Sequence, residues 1–223
     1  MACQAGGVRT EHENLWAGEF GLAYTRRNQT PEITASNCAL FARILSRMQP
    51  IKSVLELGAN LGANLDAIQL LLPDARQTAV EINPDAADAC ARHGRLVHNC
   101  AISEFMPRGE QWDLVLAKGI LIHVEPATLP EVYRQMMMCA RRYIVIAEYY
   151  SPQPYSVSYR GVEDAIHKRD FAGEMLDRFP ELRVVDYGFV WRRDRFAQDD
   201  ITWFLLERLG AAHAYDLPDA GVR

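Results

Sequence analysis

The sequence predicts an α/β protein. It should have a mostly parallel sheet of seven strands, helices on both faces and an antiparallel hairpin at the C-terminal end. Three observations predict it. Short apolar runs of strand length alternate with helical periodicity from about residue 52 to residue 148. The run Asp113-Leu114-Val115-Leu116-Ala117 is nearly all apolar, as suits a strand buried on both faces. Two late segments, about 183–191 and 200–207, stand close enough to finish the sheet as a hairpin.

The elements follow in order. Residues 1–10 are small, polar and aperiodic, which predicts disorder. Residues 11–28 read as a helix with Leu15, Trp16, Phe20, Leu22 and Tyr24 on an apolar stripe. That stripe either packs in the core or lies over a ligand, with Arg26, Arg27 and Asn28 behind it. After the turn at Gln29-Thr30-Pro31, Thr34 or Ser36 could cap a helix that buries Leu40, Phe41, Ile44 and Leu45. Residues 11–48 thus make an N-terminal helical lid. A strand at about 52–57 leads to a helix at 62–72, closed by Pro73. A strand at about 77–82 leads to a helix that begins after Asn83, with Pro84 at its first position. Strands at about 95–99 and 113–117, a helix over 130–141 and a strand over 143–148 continue the alternation. Residues 149–170 hold prolines, aromatics and bases, and read as a long loop or lid. A helix at about 170–179 precedes the final hairpin, and residues 211–223 look irregular. No internal repeat or linker divides 11–210, which read as one domain.

The 223 residues suit one such unit, and 49% of them are hydrophobic. A net charge of −5 argues against a sequence-independent nucleic-acid binder. No run reaches the roughly 18 apolar residues of a membrane span. Met1–Gly7 shows no apolar signal core, so a soluble, cytoplasmic protein is expected. Cys3, Cys38, Cys90, Cys100 and Cys139 are odd in number and scattered. That pattern predicts buried thiols rather than a disulfide framework or a zinc site. Oligomeric state is left open.

The most informative segment is Glu56-Leu57-Gly58-Ala59-Asn60-Leu61-Gly62-Ala63-Asn64, between a strand and a helix. Glycines there let the backbone turn sharply and approach a ligand closely. Glu81 closes the next strand, where an acidic side chain grips a ribose diol. Together they predict an adenosine ligand. Asn60 replaces the middle glycine of a dinucleotide loop, and Glu56 would repel a pyrophosphate. An anion there suits a cation, such as the amino group of a methionine moiety or a nearby sulfonium. The loop resembles motif I of the class I S-adenosylmethionine-dependent methyltransferases.

Further segments carry a wider resemblance: Trp16-Ala17-Gly18-Glu19-Phe20-Gly21, Lys118-Gly119-Ile120-Leu121-Ile122-His123, Ile146-Ala147-Glu148-Tyr149-Tyr150, Tyr159-Arg160-Gly161, Lys168 to Leu176 and Gln198 to Glu207. Over about residues 12–208 the chain resembles the pseudaminic acid biosynthesis-associated methyltransferases, a branch of that class. The resemblance implies a Rossmann-like fold, S-adenosylmethionine as cofactor, and methyl transfer to a small polar acceptor such as a sugar acid or sugar nucleotide of nonulosonic-acid-type biosynthesis. The residues expected at the cofactor are Glu56, Gly58, Asn60, Gly62, Asn64, Glu81, Ile82, Ala101, Ile102, Lys118 and Gly119. Cys100 stands where many class I enzymes place an acid for the adenine amino group. Backbone groups of Ala101 and Ile102, or Glu104, would then read the adenine.

The acceptor side should lie beyond the ends of the fourth and fifth strands. His123 is the first candidate for a base, since its ordinary pKa is near neutral; a packed or helix-capping histidine is the alternative. Glu148 and Tyr149 complete the expected catalytic set. Tyr150, Tyr159, Arg160, Lys168 and Arg169 are expected to bind the acceptor, the bases through a carboxylate or phosphate. Alternatively, the bases form a solvated loop balanced by Glu163, Asp164 and Asp170. Asp199-Asp200 could suggest a metal, but adjacent residues of a strand face opposite ways, so no metal is expected. The competing functions are an NAD-dependent oxidoreductase or epimerase and a non-catalytic S-adenosylmethionine binder. Against the former, the sequence lacks a Tyr-x-x-x-Lys pair.

Overall fold

The computed structural model describes residues 10–21, 30–159 and 162–210. Seven strands form one sheet: β1 (Ser53–Leu57), β2 (Arg76–Glu81), β3 (Leu96–Asn99), β4 (Trp112–Lys118), β5 (Ala140–Glu148), β8 (Leu182–Val190) and β9 (Ile201–Arg208). Their order is β3-β2-β1-β4-β5-β9-β8. Strands β1 to β5 pair in parallel, and β9 runs antiparallel to both β5 and β8. The α-helices that lie wholly within the described residues are α1 (Glu11–Ala17), α2 (Pro31–Leu45), α3 (Ala63–Leu71), α4 (Pro84–Ala91), α5 (Leu129–Cys139) and α6 (Phe171–Arg178).

The chain winds outward in opposite directions from the β1–β4 pair. A crevice therefore opens beyond their C-terminal ends, the usual ligand position in such sheets. Both strands are apolar because both faces are covered. Leu55, Leu57, Val115 and Ala117 belong to one core, and the alternating Val54, Leu114 and Leu116 to the other. Trp112 is fully buried, and its Nε1 donates to Thr78 Oγ1 at 3.0 Å, which satisfies the ring's one polar atom.

The structure corrects the reading of residues 149–170 as a loop. Strands β6 (Tyr155–Tyr159) and β7 (Val162–Lys168) form an antiparallel hairpin. Tyr155, Val157 and Tyr159 alternate with Ser156 and Ser158, a period-two signal masked by the prolines just before it. Val157 and Ile166 turn inward onto the core, and Ser156 Oγ hydrogen-bonds His167 Nδ1 at 2.8 Å. At the N-terminal side, α1 opens on a capping box: Glu13 N donates to Thr10 Oγ1 and Thr10 N to Glu13 Oε2. The helix stops at Ala17 with Gly18 as its cap. Helix α2 starts at Pro31, with Thr30 rather than Thr34 or Ser36 before it, because a proline fits the first helical turn.

Cys38, Cys90 and Cys139 are free thiols, but Cys100 is disulfide-bonded to a partner outside the described residues. The all-thiol expectation fails there because spacing along the chain does not report which sulfurs meet in space. Leu22, Tyr24, Arg26, Arg27, Asn28, Arg160 and the two terminal segments, 1–9 and 211–223, also lie outside the described residues, as does the side chain of Tyr159. Among the described residues no helix is long and apolar enough to cross a membrane.

Candidate active site

The loop after β1 places three residues at positive φ: Gly58 at +70°, Asn60 at +50° and Gly62 at +86°. Asparagine tolerates the left-handed region better than most residues, so Asn60 can stand where related loops use glycine. The amides of Gly58 and Ala59 donate to Val80 O, tying the loop to β2. Glu81, at the end of β2, accepts from Asn60 N at 2.7 Å and from Asn83 N at 2.8 Å. Burial raises its pKa, and these amides oppose the shift. The carboxylate is thereby held at the crevice, with each oxygen keeping a second acceptor site.

A narrow cavity of about 120 Å³ collects most of the expected cofactor residues. Gly58, Asn60, Glu81, Ile82, Ala101, Ile102 and Gly119 all line it. Glu104 does not; it turns back to accept from Ala101 N at 3.1 Å. The roof is α1, which contributes Glu13 and Trp16. The Trp16 ring lies 4.2 Å from the His123 ring, and Ser103 Oγ donates to Glu13 Oε1 at 2.6 Å. Trp16 of the apolar stripe thus faces the cavity.

Asn83, expected from the sequence only to precede a helix, has a second role here. Its Nδ2 donates to the carbonyls of Trp16, Ala17 and Gly18 at 3.2–3.4 Å, while its Oδ1 caps α4 at Ala86 N. One side chain therefore fastens the roof to the helix after β2. Replacing Asn83 by Ala should cost about 1 kcal/mol through the cap alone. It should also speed amide hydrogen exchange across residues 11–17. Exchange no faster than in the wild type would show that α1 is held by other contacts.

A second cavity, of about 620 Å³, adjoins the first and shares Gly58, Asn60, Gly119 and His123 with it. Its wall includes Asn64, Lys118, Glu148 and Tyr149. Three ionisable side chains sit at the ends of the adjacent strands β1, β4 and β5: Glu56, Lys118 and Glu148. Glu56 is fully buried and lines neither cavity. It accepts from Asn64 Nδ2 at 2.6 Å and reaches the site only through that side chain. Burial pushes its pKa up to about 8 against the pull of Asn64, Lys118 and Arg95. Glu148 is 2% exposed; its Oε1 accepts from the amides of Ile120 and Leu121, both at 2.9 Å. Its pKa is about 7, raised by burial and held back by those amides and Lys118. Burial lowers the Lys118 pKa, which Glu56, Glu148 and Asp199 support.

The expected acceptor residues divide. Tyr149 lines the second cavity, and Lys168 Nζ stands 5.0 Å over its ring. Tyr150 is 43% exposed, neighbours Phe204 and lines neither cavity. It follows Tyr149 in an extended segment, so the two side chains point to opposite sides. Arg169 pairs with Glu174 of α6 at 2.7 Å. Gly62 lies at the start of α3, where an added Cβ would meet Cys90 Sγ at 2.8 Å, so its role is packing beneath the loop. The structure adds Asn37 of α2 and Arg195, Gln198 and Asp199 from the β8–β9 connection. Gln198 Nε2 donates to Asn37 Oδ1 at 3.0 Å across 161 positions, a pairing that no local pattern announces. Among the described residues no group of three or more His, Cys, Asp or Glu side chains could hold a metal ion.

No protein-family model matches the sequence, and no curated protein matches it. Solved structures do match in fold. One is the magnesium protoporphyrin IX methyltransferase of Synechocystis PCC 6803 with S-adenosylmethionine bound: TM-score 0.61, 13% identity, over 91% of this chain and 100% of that one. The fold is that of the class I S-adenosylmethionine-dependent methyltransferases. The 1,6-didemethyltoxoflavin N1-methyltransferase of Burkholderia thailandensis, bound to 1,6-didemethyltoxoflavin and S-adenosylhomocysteine, matches with TM-score 0.64 and 17% identity, over 93% of this chain and 94% of that one. The mitomycin 7-O-methyltransferase matches with TM-score 0.64 and 14% identity, over 89% of this chain and 61% of that one. A nitrogen and an oxygen methyltransferase thus share the fold, which leaves the acceptor atom to the site.

Proposed function

We propose that the chain, as one domain over residues 11–210, binds S-adenosylmethionine and transfers its methyl group to a small polar acceptor. One observation carries the reading: seven residues expected at the cofactor line a single cavity, and that cavity opens onto a larger one. In this reading the adenosine occupies the first cavity with Glu81 on the ribose diol, and the methionine end passes Gly58 and Gly119 toward Asn64 and Lys118. The reactive methyl then lies near the shared wall, with the acceptor in the second cavity. The enzyme's main task is alignment of nucleophile, methyl carbon and sulfur.

The narrower reading, a sugar acid or sugar nucleotide, rests on the sequence resemblance and on the expected lid bases. Arg160 lies outside the described residues, Arg169 is ion-paired, and Lys168 is turned to Tyr149 and Tyr155. The acceptor is therefore best described as small and polar. The test is calorimetric titration with S-adenosylmethionine, S-adenosylhomocysteine and NAD. The first two should bind and NAD should bind much more weakly; tight NAD binding alone would favour the oxidoreductase. Glu81→Ala should weaken cofactor binding by about 1.5–3 kcal/mol, the scale of a lost charge-assisted hydrogen bond.

A further inference from the structure

We infer that the acceptor reacts through an atom that still carries a proton, an amine or hydroxyl group, and that Glu148 Oε2 takes that proton. This rests on the proposed methyl transfer and specifies its acceptor and its base. The two oxygens of Glu148 have different surroundings. Oε1 is fixed by the amides of Ile120 and Leu121, which follow β4. Oε2 is buried and makes no hydrogen bond of ordinary geometry, the Ile122 amide being the one further donor that bears on the carboxylate, and the side chain lines the second cavity. An unpaired buried carboxylate oxygen is costly to keep, and a proton-bearing ligand removes the cost.

The anchor also fixes direction. With Oε1 held by two amides, the carboxylate cannot rotate freely, so Oε2 faces one place. Lys118, on the neighbouring strand, is the cation beside it, while Glu32, His123, Tyr149, Arg195 and Asp199 are the other charged or titratable groups of the same wall. A carboxylate nucleophile has no proton to give and would leave Oε2 without a donor. The pKa of Glu148, about 7, is that of a group able to accept a proton near neutrality and return it to solvent. His123 lies against Trp16 of the roof helix and shares its position with both cavities, so it is placed to shape the passage between them.

The step balances for either acceptor. An ammonium gives one proton to Glu148, and its freed lone pair attacks the methyl carbon. The carbon–sulfur bond breaks with its electron pair going to sulfur, and the products are a neutral thioether and a methylated ammonium. A hydroxyl gives its proton to Glu148 as the carbon–oxygen bond forms, leaving an ether. In both cases the protonated Glu148 returns its proton to solvent before the next turnover.

The experiment uses the full chain, methyl-labelled S-adenosylmethionine and three probes: benzylamine, catechol and benzoate, with products read by mass spectrometry between pH 5.5 and 9. The wild type should methylate the amine or the phenol, with the rate rising to a plateau around a midpoint near 7. Glu148→Gln keeps an oxygen for the Ile120 and Leu121 amides. At pH 8 it should lose roughly 10²–10⁴ in rate and the pH midpoint, with S-adenosylhomocysteine affinity unchanged. His123→Asn should retain the midpoint. A midpoint that survives Glu148→Gln, or methylation of benzoate in preference to the others, overturns the inference. So does an absence of transfer to any probe while S-adenosylhomocysteine binds, and that outcome leaves the cofactor reading standing. No binding of either cofactor form strikes the underlying methyltransfer reading instead. Should Glu148→Gln fail to fold, carbon-13 spectra of carboxyl-labelled wild type decide. A glutamate resonance that titrates near 7 and shifts on adding benzylamine or catechol supports the assignment, and no such resonance overturns it.

Discussion

Gly58→Val should abolish the proposed cofactor binding, with Kd for S-adenosylhomocysteine rising by more than about 100-fold, equivalent to roughly 3 kcal/mol. Two independent causes act at this one position. The backbone stands at φ +70°, where a β-branched residue is strained. An added Cβ would also sit 2.7 Å from Ile120 Cδ1 and 3.0 Å from Ile120 Cβ. Ile120 cannot simply retreat, because its amide is held by Glu148. Gly58 also lines both cavities, so any adjustment moves the floor on which the cofactor would lie. Calorimetry on a variant shown to be folded by circular dichroism reads the effect. Affinity within threefold of the wild type would remove the Gly loop from the cofactor site.

The second large effect concerns stability against pH. Glu56 and Glu148 have native pKa values of about 8 and about 7, both raised by burial above the ordinary carboxylate value. Between that ordinary value and the native one, the folded protein holds a proton that the unfolded chain has released. Each group therefore contributes stability that is fully present below about pH 4.5 and is lost as pH rises through its native pKa. The slope is at most about 1.4 kcal/mol per pH unit for each carboxyl. The window closes near pH 7 for Glu148 and near pH 8 for Glu56. Glu207 works in the opposite sense, since Arg142 and Arg183 lower its pKa, so its contribution is lost on acidification. Glu56→Gln keeps an acceptor for Asn64 Nδ2 and removes the charge. The variant should unfold at higher urea than the wild type at pH 9 and show a flatter stability profile from pH 5 upward. Parallel profiles for the two proteins would mean that Glu56 stays ionised in the fold.

What the sequence disclosed and what it concealed follow from physical range. The sheet was legible because β4 and β5 contain the apolar runs Leu114–Ala117 and Tyr143–Ala147, a local signature of double burial. The Gly loop and Glu81 were legible for a similar reason: both are short motifs tied to strand ends. The surroundings of Tyr150 and Arg169 were not legible, because composition cannot say which way a side chain points or which partner reaches it first. Asn37 and Gln198, 161 positions apart, meet only after the sheet has closed. Asn83 was read as a helix start, which it is, but its other amide atom serves a helix that lies more than 60 positions earlier. The hairpin β6–β7 shows a different failure, in which nearby prolines outweighed a true alternation of only five residues.

The roof over the first cavity sets a timetable. With Trp16 laid over His123 and Asn83 gripping the end of α1, the enclosed space is about 120 Å³. A usual ligand pocket begins at roughly 300 Å³. In the proposed function, a nucleoside arriving or a spent one departing would then need the helix to lift, and the same few contacts would govern both journeys. Helix motions of this kind take microseconds to milliseconds, and in many enzymes they outlast the chemistry they enclose. In a protein built this way, the clock of a turnover would be kept by a seven-residue helix and one asparagine rather than by the bond being made.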